Sequence, residues 1–343
     1  MAGPESVEMP HMPEIKAMAR DHKALISGMW GISTLSGPAI GGLFAEAGHW
    51  RWAFWAVLPV CVLLGVLLVT QLGPVGRNRS GRLEAPLLRM GMLVASVLVV
   101  SAASLYSAWT VQFAGVAVGL LLVLWLARLD ARSRQRFLPA GAWSLRHPLG
   151  RRYAMIGLMS IGVTTEVFVP YFLQMLHGQS PLHAGYLSAL MSAGWTLGTL
   201  SSSGRGPVCV GRLLVLGPIL SAASLAGLYA GMPDPAAPTA LLAVLLLGVG
   251  IGVGLCWPHL LTGVFRAAPA DQQNIASAAI TTLQLYAMAL GASVAGMVAN
   301  AAGFTEPGGW QGTQQAAWAV YGVFAVAPAL AIRLGWGARR DGV

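Results

Sequence analysis

Charge is what this sequence has least of. Asp, Glu, Lys and Arg make up 10% of its 343 residues, against about 25% in an ordinary soluble domain. A soluble fold is therefore not the expectation. Cysteine is scarce as well: Cys61 and Cys256 lie in apolar runs and Cys209 in a short polar link. Such spacing makes neither a disulfide framework nor a zinc site, and no metal or other cofactor is expected. The sequence contains no Ser-His-Asp set, no Walker loop and no paired carboxylates, so hydrolysis and ATP-driven transport have no support, and the chain is not read as an enzyme. Residues 1–23 are polar and lack the basic start, apolar core and small-residue cleavage site of a secretory signal. Alternation of apolar and polar residues is also missing, which argues against a membrane β-barrel.

What is present is continuous apolar sequence. Hydrophobic residues make up 56% of the chain and the mean hydropathy is +0.66. Apolar runs near the 20-residue length that a bilayer requires fall at 25–45, 52–72, 88–108, 111–127, 152–174, 182–202, 210–230, 238–264, 273–299 and 316–335. The expectation is an all-α polytopic membrane protein with ten transmembrane helices. With the N-terminus placed inside, every Lys and Arg except Arg51 falls on the inner side, the side where short basic loops stay. This predicts a multi-pass protein of the plasma (inner) membrane with both termini cytoplasmic. The net charge of +9 therefore points to the membrane surface rather than to nucleic acid.

The basic stretch 128–151, which also holds Pro139, Gly141 and Pro148, reads as the boundary between two parts. The expected organisation is a cytoplasmic segment over 1–24, two helices over 25–72, a loop and two further helices over 73–127, the basic loop 128–151, a six-helix bundle over 152–335 and a cytoplasmic tail over 336–343. Within the first helix, Gly31, Gly37, Pro38, Gly41 and Gly42 form a small-residue face, and such faces let helix backbones approach closely in lipid. Pro38 bends that helix by removing a donor and crowding the carbonyl of Thr34.

These residues resemble the major facilitator superfamily, and within it the fourteen-helix drug:proton antiporters. Gly37-Pro38-x-x-Gly41-Gly42 is similar to the family's antiporter motif, and Trp50-Arg51-Trp52-x-Phe54 and Pro59 follow it. A second likeness is Pro170-Tyr171-x-x-Gln174-x-x-x-Gly178-x-Ser180-Pro181-x-x-Ala184-Gly185, and a third is Ser277-Ala278 with Gln284, Gly291, Ala295 and Gly296. The resemblance implies the major facilitator fold. It also implies that 88–108 and 111–127 are the extra pair of helices between two bundles, and that 25–72 holds the last two helices of the first bundle. The family's first four helices then have no counterpart here, and a partner supplying them is one expectation. The family's loop motif, expected near 204–217, is shortened there and lacks its aspartate. The implied role of Gly37, Pro38, Gly41 and Gly42 is to pack the two bundles together and limit proton leak.

Glu166 is the one acidic residue placed deep within a span, where an ionisable group is costly and points to function. It either exchanges the coupled proton, pairs with a cationic substrate, or stays neutral and packs helices. Pro170, four residues on, is expected to leave the Glu166 carbonyl without its helical donor. Tyr171, Gln174, Trp195, Gln284 and Tyr286 are candidates to line a central cavity, or else serve as interfacial anchors and packing residues. Gly248, Gly250, Gly252 and Gly254 lie inside an apolar span, so helix packing is expected there rather than a dinucleotide loop. His259 is read as a proton relay or as a satisfied interfacial histidine. The function implied is proton-coupled export of small amphipathic compounds by alternating access, with lipid, protons and a small-molecule substrate as partners. The alternative is a non-transporting remnant or a membrane subunit dependent on a partner.

Overall fold

The computed structural model describes residues 37, 40–71, 87–106, 108–133 and 136–340. Pro38, Gly31 and most of the expected span 25–45 lie outside the described residues, as do the segment 1–24 and the C-terminal residues 341–343. Residues 40–46 are helical. They are followed by α1 (Trp52–Trp55), α2 (Val57–Gln71), α3 (Leu87–Ala103), α4 (Trp109–Arg132), α5 (Pro148–Val163), a 3-10 turn (Thr164–Phe168), α6 (Val169–His177), α7 (Pro181–Ser202), α8 (Pro207–Gly231), α9 (Thr239–Ala267), α10 (Gln273–Ala301) and α11 (Gly309–Arg340). No strand occurs among the described residues.

Seven helical spans among the described residues are long and apolar enough to cross a membrane. Pro148–His177 is one of them, joined through the 3-10 turn. α3 is apolar but only 17 residues long. α7 has 22 residues but is not one of the seven, because Ser and Thr along it lower its hydropathy. Its position accounts for that composition. α7 packs face to face with α9, and a helix shielded by neighbours does not meet lipid along its whole length.

The sequence explains how tightly α7, α8 and α9 pack. A Cβ added at Gly194 or Gly198 on α7 would run into the backbone of Leu247, Ile251 and Gly254 on α9. A Cβ at Gly250 or Gly254 would strike the backbone of Met191 and Trp195 on α7. On the other side of α9, Gly248 and Gly252 face Ser224, Ser221 and Gly217 of α8, and the Ser221 hydroxyl donates to the Val249 carbonyl at 2.9 Å. The four alternating glycines are thus two small-residue pairs, each serving a different neighbour, as their place in an apolar span suggested. Nothing about them cradles a nucleotide.

Six spans from Pro148 to Arg340 share one apolar interior. Phe172, Leu225, Leu246, Tyr321 and Phe324 are buried in it, and a second cluster around Leu149, Ile156, Leu260 and Val264 lies nearer the arginine-bearing end. The spans alternate in direction, so Arg151, Arg205, Arg266 and Arg340 gather at one end of the bundle, while His177, Asp234 and Glu306 sit at the other. Hydrogen bonds join the connections at that second end. A His177 ring nitrogen lies 2.9 Å from the Met232 carbonyl, and Gln314 Nε2 donates to Pro233.

α3 and α4 lie beside α10. Gly115 and Gly119 of α4 meet Ala103, Val99 and Val100 of α3, and Tyr286 on α10 shares a 3.0 Å hydrogen bond with Ser96 on α3. The stretch after α4 is folded onto the protein by Asp130. Its carboxylate is 1% exposed, accepts from the backbone N–H of Phe137 and Leu138 and from Trp143 Nε1, and pairs with Arg89 at 3.3 Å. The Ala140 N–H donates to Gln272 Oε1 at 2.9 Å, which ties the same stretch to the start of α10. α2 is different: its described side chains are exposed from end to end.

Candidate functional site

Pro170 shapes the candidate site. Its ring cannot sit over the carbonyl of residue 166 in regular α geometry, and the chain answers by tightening into the 3-10 turn Thr164–Phe168. The expectation that the Glu166 carbonyl loses its donor is corrected here: the Val169 N–H bonds to it, three residues on instead of four. The threonines absorb the other consequences of the break. Thr164 Oγ1 donates to Ile161 and Thr165 Oγ1 to Gly162. On α10, a Cβ added at Gly291 would crowd the Thr164 side chain, with Thr164 Cγ2 only 3.1 Å away, so the break is packed against that helix as well.

Glu166 projects from this turn, about 5 Å from the middle of the span Pro148–His177 on a rise of 1.5 Å per residue. The carboxyl is half-buried, and the Ser192 hydroxyl of α7 lies 3.5 Å from Oε1. Its neighbour Val167 is 67% exposed. The turn therefore stands at the margin of the six-span unit rather than inside its core. One helical turn along α7 from Ser192 comes Trp195, whose ring meets that of Trp257 on α9 edge to face at 4.9 Å. Glu166 and Ser192 thus offer one ionisable group and one hydroxyl, with the indole pair one helical turn further along α7.

The other candidates are spread more widely. Tyr171 is largely exposed and its ring leans on Phe304 at 5.1 Å, near the end opposite the arginines. Gln174 folds back on its own helix, donating to the Pro170 carbonyl at 3.0 Å. Gln284 is half-buried two helical turns from Gly291, on the face of α10 that meets the broken span. Tyr286 points the other way, toward Ser96 and a small cleft of about 60 Å³ that Leu93 and Phe137 also line. Two residues apart on a helix means about 200° of rotation, so Gln284 and Tyr286 do not share one cavity wall. Glu166, Trp195 and Gln284 are on elements that meet at the break, whereas Tyr171, Gln174 and Tyr286 stand apart from it.

The small-residue motif is resolved in part. Gly42 is buried, and a Cβ there would sit 2.9 Å from the Pro181 carbonyl oxygen and 3.0 Å from Leu182 Cα, at the start of α7. Gly37 and Gly41 face open space, and Pro38 lies outside the described residues. His259 lines a cleft at the arginine end, and its buried Nε2 has no hydrogen-bond partner among the described residues. Asp130 is the residue that sequence reading missed. It lies in the basic stretch 128–151, read only as a boundary between two parts, and the hydrophobic residues that follow it, Phe137, Leu138 and Trp143, are what signal a folded segment. Among the described residues no three His, Cys, Asp or Glu side chains gather as a metal site would need.

Residues 23–292 match the Major Facilitator Superfamily. The chain belongs to that family. It is a multi-pass membrane protein, consistent with its seven long apolar spans. Among its relatives is a probable multidrug-efflux transporter of Mycobacterium tuberculosis, 34% identical over 290 residues, which cover 81% of this chain and 61% of the relative. The tetracenomycin C resistance and export protein of Streptomyces glaucescens is 25% identical over 83% of this chain and 54% of its own length. The dehydrocurvularin exporter of Aspergillus terreus is 26% identical over 70% of this chain and 45% of its own. This superfamily member thus spans less than two thirds of the length of these relatives.

Proposed function

We propose that this chain forms the greater part of an exporter of small amphipathic compounds, driven by protons, with Glu166 as the group that exchanges the proton or meets a cationic substrate. The observation that carries this reading is the position of Glu166: a carboxyl within a few ångströms of mid-span, held by a 3-10 turn on the margin of the six-span unit, with the Ser192 hydroxyl against it and an indole pair one helical turn further along α7. In a bilayer such a group is paired, faces water or is held neutral, and a position on the margin of the unit favours access to water. The indoles supply a flat apolar wall for a planar substrate. The export proteins among its relatives support the same reading.

Alternating access requires one bundle to rock against another. In this reading Gly42 of the seam Gly37, Pro38, Gly41 and Gly42 holds the 25–72 helices against the second bundle near the start of α7, and the remaining helices of the first bundle come from a partner or from further sequence. The exposed length of α2 favours a second reading, in which the chain is a non-transporting subunit waiting for a partner to cover that helix.

Uptake of a lipophilic cationic dye into inverted membrane vesicles energised by a proton gradient separates the two. The wild-type chain should accumulate dye, and Glu166→Gln should abolish gradient-driven accumulation while the protein remains in the membrane. Glu166→Asp should retain part of the activity. Undiminished accumulation by Glu166→Gln would remove Glu166 from the mechanism, and no accumulation by the wild type would favour the subunit.

A further inference from the structure

α10 meets different neighbours on its two faces. Tyr286, Leu290, Val294, Met297 and Asn300 recur every three or four residues and so form one stripe along the helix. That stripe meets α3. The Tyr286 hydroxyl lies 3.0 Å from Ser96 Oγ, Leu290 and Val294 pack against the buried trio Val100, Ala103 and Met297, and Asn300 Nδ2 donates to the Ser104 carbonyl at 3.2 Å. Ser96 has one hydroxyl hydrogen and gives it to the Leu93 carbonyl at 2.7 Å, so Tyr286 is the donor in their pair. Gly291 stands about 140° round the helix from Tyr286. A Cβ there would lie 2.6 Å from Thr164 Oγ1, in the 3-10 turn that carries Glu166. The turn thus rests against one face of α10 while α3 holds another.

We propose that α3, backed by α4, is a brace that sets the position of the Glu166 turn through α10. Ser96 and Tyr286 are then positioning residues, and their part in transport rests on the reading of Glu166 given above. The brace is close-packed. A Cβ at Gly115 or Gly119 of α4 would strike Ala103 or Val100 of α3 and crowd the carbonyls of Val99 and Ser96, and backbones this near leave little slack. The turn depends on such support. Thr164 and Thr165 give their hydroxyl hydrogens to Ile161 and Gly162 of their own span, so neither bonds to α10. Van der Waals contact at Gly291 locates the turn, and contact fixes a position only when the helix behind it is itself fixed. Any shift of the turn moves the carboxyl against Ser192 of α7, which at 3.5 Å is already at the limit of hydrogen-bond reach.

Hydrogen–deuterium exchange of the full chain in nanodiscs tests the brace. Tyr286→Phe removes the donor while Ser96 keeps its bond to Leu93, and Asn300→Ala removes the tie to Ser104. Both residues lie on the stripe that faces α3. Gln314→Ala is the control, since it breaks a bond to the Pro233 carbonyl on the connection after α8. With the two α10 changes combined, the Val169 amide, which closes the turn on the Glu166 carbonyl, should exchange about fivefold faster, as loss of one supporting hydrogen bond implies. Gln314→Ala should leave that rate unchanged. An unchanged rate in the double variant, or equal acceleration by Gln314→Ala, would overturn the proposal. In inverted vesicles the double variant should also shift the pH of half-maximal dye accumulation, with the amount of protein in the membrane unchanged. A loosened turn with an unshifted profile would leave the brace standing and count against Glu166 as the exchanging group. A wild type that accumulates no dye would count against the exporter alone.

Discussion

Asp130 binds more partners than any other carboxylate described here, and all of them are local to α3, α4 and the stretch that follows. Removing it strands two backbone donors and an indole N–H, each costing about 1–3 kcal/mol when buried. Asp130→Ala should therefore lower stability by about 3 kcal/mol or more, read as a fall in the thermal midpoint in detergent together with faster proteolysis of residues 133–147. An unchanged midpoint would show that the carboxylate holds nothing. The glycine motif makes an equally local prediction. Gly42→Val drives two methyl groups into the Pro181 carbonyl, whereas Gly41→Val points into open space. Valine at 42 should cost about 1–3 kcal/mol, the usual range for overpacking, and valine at 41 should be tolerated in an unfolding titration. The reverse order would mean that the seam packs on its other face. Sequence alone treats these neighbouring glycines as equivalent, because a motif gives spacing and not the direction of approach.

Among elements, the apolar runs were the easiest feature to read, and their ends the hardest. The run 316–335 became Gly309–Arg340 and 111–127 became Trp109–Arg132, because a helix continues past the lipid-facing stretch into polar residues that solvent or headgroups accept. The run 88–108 instead shortened to Leu87–Ala103, and the chain turns at 104–105. Two features could have been read more fully. Pro170 announced a break, but the 3-10 repair through the Val169 N–H depended on how the rest of the span is held. Gln284 and Tyr286 were grouped by chemistry although helical rotation already put them on opposite faces. The alternating glycines of α9 were legible as packing residues; which pair meets α7 and which meets α8 was not. That assignment yields a prediction. Gly254→Val strikes the Trp195 carbonyl and should separate α7 from α9, lowering stability by well over the roughly 1–3 kcal/mol of a side-chain overpack, since backbone atoms cannot move aside. Gly296→Val on α10, where nothing lies within 4 Å, serves as the tolerated comparison. Equal behaviour of the two would contradict the close approach.

For the whole molecule, the organising fact is an asymmetry between the ends of a six-span unit. Arginines gather at one end, and an acidic and histidine-bearing set of connections, with Asp234, Glu306 and His177, at the other. The proposed exporter and its mid-span carboxyl both presuppose that this unit crosses a bilayer with the arginine end inside the cell. The most direct measurement is single-cysteine labelling in sealed cells. Cys61, Cys209 and Cys256 are first replaced by alanine, and Asp234, Glu306, Arg146 and Arg340 are then changed to cysteine one at a time. A membrane-impermeant thiol reagent should modify residues 234 and 306 in intact cells, and residues 146 and 340 only after the membrane is opened. Labelling of 146 or 340 from outside, or protection of 234 and 306, would contradict the account.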